Sequence, residues 1–220
     1  MRPMRRFMLA ATATLALSAT FAGTSHAAGP GYTTLSTPVP ATAPGKKVEV
    51  IEFFMYTCPH CYSLDPLLEE WVKKQGDRIV FKRMHFAQSP TDPLAHAYVT
   101  LEAMGQTEAV HGKILRAIHG ERQRIYRSDE EMKQFLVKNG IDKTRYEQLF
   151  NSFSVQTKMK QLAGTVAKYQ VSSAPTLVVD GRYMTSPSIA GAPGTSETQA
   201  GRQTMAVLDQ LVAKAAAEKK

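Results

Sequence analysis

The chain contains two cysteines, at the ends of the run Cys58-Pro59-His60-Cys61. Cysteines this close make a poor staple, because a bridge between them closes so short a loop that little unfolded-chain entropy is removed. A structural metal site needs about four ligands, and no second cysteine pair exists to complete one. The chemistry left is a reversible dithiol/disulfide couple, the usual reading of C-x-x-C beside a βαβ pattern. Haem attachment is excluded because Tyr62, not histidine, follows Cys61. His85, His96, His111 and His119 have no ligand-like spacing and read as surface or core histidines. No metal and no bound cofactor are expected.

A dithiol acquires useful reactivity from the element that carries it. Val48 to Met55 is rich in β-branched and large apolar residues and reads as a buried strand, with Glu52 out of place in it. A helix is expected from about Cys58 to Lys74, with Leu64, Leu67, Leu68 and Trp71 at helical spacing. Pro59 suits its first turn, where a missing N–H costs nothing. Pro66 lies deeper and is expected to kink it. The unpaired N–H groups and positive dipole end of such a helix face the Cys58 sulfur and favour its thiolate. His60 adds an imidazole nearby. The stabilised anion exists only in the reduced form, so a better thiolate makes a more oxidising couple. Cys58 is expected to be the exposed sulfur and Cys61, one turn in, the more buried one.

The remaining sequence supplies the frame. Arg78 to Phe86 reads as the next strand, and Tyr32 to Leu35 as a short edge strand. From Ser89 to Lys168 the pattern is helical and carries no candidate chemistry. Asp92 or Ser89 caps the first helix, Ser128 with Glu131 forms a capping box, Asp142 starts another helix, and the chain bends near Ser152. Strand signals return at Pro175 to Val179, Asp180-Gly181 reads as a hairpin turn, and Arg182 to Thr185 as its partner strand. Ser188 to Thr195 reads as a loop, and Ser196 opens the last helix. The order, βαβ, helices, ββα, makes residues 89–168 a helical domain inserted into a sheet domain built from 28–88 and 169–220.

Met1 to Arg6 carries Arg2, Arg5 and Arg6, Phe7 to Ala22 is apolar or small, and Ser25-His26-Ala27 fits a cleavage site. Residues 1–27 are therefore expected to be a secretory signal peptide. No later stretch approaches the roughly 20 apolar residues of a spanning helix. Export places the cysteines where disulfides form and persist. The net charge of +8 includes the three leader arginines, and the other basic residues are scattered, so no nucleic-acid partner is implied.

Glu52-Phe53-Phe54 leading into Cys58-Pro59-His60-Cys61-Tyr62, the helical middle, and Ser173-Ala174-Pro175-Thr176 before a hairpin resemble the DsbA family of periplasmic thiol:disulfide oxidants. The resemblance spans the mature chain and implies an α/β, thioredoxin-like fold with an inserted all-helical domain. A low-pKa thiol and a strongly oxidising couple are the family pattern, so that direction comes with the resemblance. It implies catalytic roles for Cys58, Cys61, His60, Pro59 and Pro175, the last as a cis-proline facing the dithiol. It also implies client contact through the backbone of Ala174 and Thr176, and a buried acid at Glu52 beneath the dithiol. The family often has a β-branched residue where Ala174 stands, and Asp65 stands where it can carry a further acid. From the residues alone, Glu52 could instead reach solvent or pair with Lys82. The expected partners are reduced exported proteins and a DsbB-like, quinone-linked membrane oxidase, and the protein is expected to be a monomer. A disulfide isomerase or reductase of the same superfamily, or a non-catalytic client-binding chaperone, are the alternatives.

Overall fold

The computed structural model describes residues 31–219 apart from Gln88 and Pro90. The expected signal peptide, residues 1–27, lies outside the described residues. The first strands are β1 (Thr33–Thr34) and β2 (Val48–Phe54), followed by α1 (Pro59–Gln75) and β3 (Ile79–His85). Five α-helices follow: α2 (Pro93–Met104), α3 (Thr107–Leu115), α4 (Asp129–Lys138), α5 (Lys143–Phe150) and α6 (Phe153–Lys168). The chain then returns to β4 (Thr176–Val179), β5 (Tyr183–Thr185), α7 (Pro187–Ala190) and α8 (Glu197–Glu218). Among the described residues no helix is long and apolar enough to cross a membrane.

The strands form one sheet in the order β1-β5-β4-β2-β3. β2 and β3 run parallel across α1, and the other pairings are antiparallel. Every residue of β2 is buried, as a central strand covered on both faces requires. Val48, Val50, Leu177 and Val179 pack on Leu64, Leu68 and Trp71 of α1 and on Leu208, Leu211 and Val212 of α8. Ile51, Phe53 and Val178 join a larger cluster with Leu101, Ile114, Leu136 and Leu162 of the helical stretch. The dithiol therefore sits at the end of a strand held between two cores.

Local chemistry sets the element ends. Asp92 accepts hydrogen bonds from the N–H groups of Leu94 and Ala95, which makes it, rather than Ser89, the cap of α2. Ser128, Asp142, Ser152 and Ser196 cap α4, α5, α6 and α8 in the same way. Asp180 and Gly181 have φ of 52° and 63°, the left-handed pair of a two-residue hairpin turn. A side chain at Gly181 would also meet the Val39 carbonyl. α1 runs unbroken through Pro66, whose position is exposed. The start of the expected loop, Ser188 to Thr195, belongs to the short helix α7, because Ser186 accepts from the Ile189 N–H and Pro187 occupies the first helical position.

Candidate active site

Three segments converge on the dithiol. Cys58 is the N-cap of α1, with extended backbone, and its N–H donates to the Met55 carbonyl. Its carbonyl accepts from the N–H groups of Cys61 and Tyr62, so the first turn is closed around it. The two cysteines are free thiols, and both are shielded: Cys58 is 7% exposed and Cys61 1%. Cys58 is thus the more accessible sulfur but not an open one. Pro59 and His60 are exposed. The Ala174–Pro175 peptide is cis, and the Cys58 thiol donates to the Ala174 carbonyl at 3.4 Å. Pro175 and Thr176 are buried, and Thr176 opens β4 opposite Phe53. Ser173 beside them is exposed and Ala174 half-buried.

The two thiols are driven apart in acidity. The Cys61 thiol, hydrogen-bonded to the Cys58 sulfur, is the largest cause that brings Cys58 down from its ordinary 9.0 to about 6. Burial opposes this, and the N–H groups of Cys61 and His60 and the charge of His60 assist. The helix amino end contributes as expected, but it is second to the neighbouring thiol. The same hydrogen bond, burial and the charge of Glu52 push Cys61 up. His60 is raised by a 2.6 Å contact from its Nδ1 to Oε1 of Glu197 on α8. Beside it lies a cavity of about 380 Å³ lined by Leu64, Ala174, Pro175, Pro187 and Glu197.

Beneath the dithiol lies a buried charge cluster. Glu52 is 1% exposed and accepts from Arg83 Nε at 2.9 Å. It does not pair with Lys82, because Lys82 stands opposite Ile51 in the parallel register and faces the other side, where it meets Glu49 at 2.6 Å. Burial pushes the Glu52 carboxyl up, against the pull of Arg83 and His111. Arg83 also contacts Asp65 at 3.2 Å, Glu69 at 3.0 Å and Glu108 at 2.5 Å. His111 approaches Asp65 at 3.4 Å. His119 donates from Nε2 to the Tyr56 carbonyl and stacks on Tyr62. It sits in a π-helical turn, Arg116–Gly120, of the kind often found at functional sites.

The helical stretch thus meets the surroundings of the dithiol through Glu108 on Arg83, His111 on Asp65 and His119 on the Tyr56 carbonyl. Arg83 and Glu197 were absent from the sequence reading. Alternation along β3 could have flagged Arg83 as inward-facing, whereas nothing local marks Glu197. Among the described residues no group of three or more histidine, cysteine or acidic side chains is arranged to hold a metal ion.

Residues 49–200 match the model of the DSBA-like thioredoxin domain. The chain is 37% identical to the thiol:disulfide interchange protein DsbA of Burkholderia cepacia, over 88% of this chain and 93% of that protein. It is 35% identical to DsbA of Pseudomonas aeruginosa, covering 98% of this chain and 100% of that one. The crystal structure of Pseudomonas aeruginosa DsbA superposes with a TM-score of 0.74 at 33% identity, over 86% of this chain and 95% of that chain. Thiol:disulfide interchange, the activity these relatives are named for, needs a reactive dithiol, and Cys58 and Cys61 supply one. The chain belongs to the DSBA-like thioredoxin family and is a thiol:disulfide oxidoreductase.

Proposed function

We propose that the protein works in the periplasm as a dithiol oxidase, donating a Cys58–Cys61 disulfide to reduced exported proteins. The observation that carries this is the placement of Cys58 at the amino end of α1, against the Ala174 carbonyl before the cis-proline, with Cys61 buried behind it; that setting holds Cys58 down at about 6 and pushes Cys61 up. At pH 7 a thiolate of that acidity favours the reduced state by on the order of 1 kcal/mol, or roughly 30 mV. A client thiolate attacks Cys58, the Cys58–Cys61 bond breaks, and Cys61 leaves and takes a proton. The client's second thiolate attacks its own sulfur in the mixed disulfide, and Cys58 departs as a thiolate. Two electrons pass from client to enzyme, and of the two client protons one ends on Cys61 and one in solvent. The low pKa of Cys58 makes it the better leaving group in the second step.

Within this reading Pro59 opens α1 without an unpaired N–H, and His60 supplies positive charge near the sulfur. Pro175 and the backbone of Ala174 and Thr176 form the client-facing edge, where an extended peptide could pair. Glu52 exchanges a proton with Cys61. A structure of Proteus mirabilis DsbA holds the non-covalently bound peptide PWATCDS, and its TM-score to this chain is 0.68 at 26% identity. That supports a peptide client here. Residues 28–88 with 169–220 act as the redox domain and 89–168 as an inserted helical domain. Residues 1–27 direct export, the protein acts as a monomer, and a DsbB-like quinone-linked membrane oxidase restores the disulfide.

The test has two arms. Equilibration against a glutathione redox series is expected to place the couple well above cytosolic reductases, and a potential near that of thioredoxin overturns the oxidase reading. With oxidised glutathione supplied, which first caps Cys58 as a glutathione mixed disulfide and releases one glutathione thiolate, Cys61→Ala is expected to accumulate mixed disulfides with reduced clients as the client thiolate displaces the second glutathione, whereas Cys58→Ala yields none. Client processing that survives Cys58→Ala points to a chaperone instead.

A further inference from the structure

The contact between His60 and Glu197 joins the helix start that carries the dithiol to one 137 residues away in sequence. Its placement is fixed by the framework. Glu197 is the first residue of the long helix α8, capped by Ser196. One turn on, α8 crosses α1 at Gly201, where an added Cβ would lie 2.8 Å from Leu67 Cδ1 and 3.5 Å from Leu64 Cδ1. Leu64 is likewise one turn on from His60. The missing side chain lets the two helices approach and brings their first turns, with His60 and Glu197, together. The amino end of α8 also favours the carboxylate form of Glu197. Both side chains are largely exposed, and an exposed pair contributes little to stability. Its consequence lies in what His60 does to its other neighbour, the Cys58 sulfur.

We infer that Glu197 is a positioning residue for the dithiol: its carboxylate holds His60 as an imidazolium beside Cys58 and so sets how oxidising the couple is near neutral pH. The inference rests on the oxidase reading only for the direction of electron flow. The charged groups acting on His60 are Glu197 from α8 and Cys58 at the start of α1. The polar residues around them in the cavity wall, Ser63, Ser173, Ser188 and Thr195, are uncharged. An ordinary histidine is largely neutral at pH 7. Glu197 favours its protonated form, and the cation stabilises the thiolate, which exists only after the disulfide has accepted two electrons. The carboxylate's own charge acts in the opposite sense. The charge of His60 is the one that lowers Cys58, so the cation is expected to prevail.

The test uses the mature chain with Glu197→Gln, His60→Ala and the double variant. In the reduced protein, NMR titration of the His60 ring is expected to shift to lower pH in Glu197→Gln. At pH 7 that variant is expected to be about threefold less oxidising towards glutathione. In the His60→Ala background the same substitution is expected to have no such effect, since a pair acting as a unit is non-additive. An unmoved His60 titration overturns the inference, and so does an equal loss of oxidising power with and without His60. The wild-type potential tests the oxidase reading separately, because the inference concerns only differences between variants.

Discussion

The guanidinium of Arg83 meets the carboxylate of Glu52 at 2.9 Å across neighbouring parallel strands, and both side chains are almost wholly excluded from water. Among the described residues Arg83 is the single cation to which Glu52, Asp65, Glu69 and Glu108 all bind. Those acids come from β2, α1 and α3, so one side chain ties the sheet, the dithiol helix and the helical stretch together. Removing one partner of a buried ion pair strands the other. Arg83→Met is therefore expected to cost about 3–5 kcal/mol in chemical denaturation. A loss below about 1 kcal/mol would show that water already serves these carboxylates.

Glu52→Gln keeps the shape and removes the charge. The charge of Glu52 helps to push Cys61 up, so the Cys61 thiol should become easier to ionise, read as faster alkylation of Cys61 at alkaline pH in a Cys58→Ser background. An unchanged alkylation rate would separate Glu52 from the dithiol.

Cys61 should matter to Cys58 through its hydrogen bond more than through its bulk, because that bond is the largest cause of the low Cys58 pKa. Cys61→Ala is expected to raise the Cys58 pKa well above 6, whereas Cys61→Ser keeps an O–H donor and is expected to raise it less. Equal shifts would mean that the helix amino end alone holds the thiolate.

How far the sequence discloses this architecture depends on the range of each interaction. The caps at Ser128, Asp142 and Ser196 and the Asp180-Gly181 turn are decided within a few residues and were legible, while the cap of α2 was narrowed to Asp92 or Ser89. Cys58 at a helix start followed from a strand, a proline and a helical stripe. Glu52 was visibly odd, but its partner was not, since one residue of register decides between Lys82 and Arg83. His111, Glu108 and Glu197 were beyond reach for another reason: they arrive from α3 and α8, and only the packing of those helices on α1 and β3 brings them in. α7 was missed because a single turn carries too little periodicity to separate from loop.

The depressed Cys58 pKa also predicts a pH-dependent stability. The folded reduced protein gains from the thiolate fully above the unfolded value of 9.0, and the gain is lost as pH falls through about 6. The disulfide form has no such group. The stability of the reduced form relative to the oxidised form should therefore decline from pH 9 to pH 6, by on the order of 1 kcal/mol between pH 7 and 6. Parallel denaturation of both forms across that range checks the sign.

The most direct measurement is the ultraviolet thiolate absorbance of the reduced wild-type protein as a function of pH. The first ionisation is expected with a midpoint near 6, which is the Cys58 thiolate. A first midpoint near 9.0, the ordinary value for the thiol, would contradict the account, because the reduced form would then hold no stabilised anion at neutral pH.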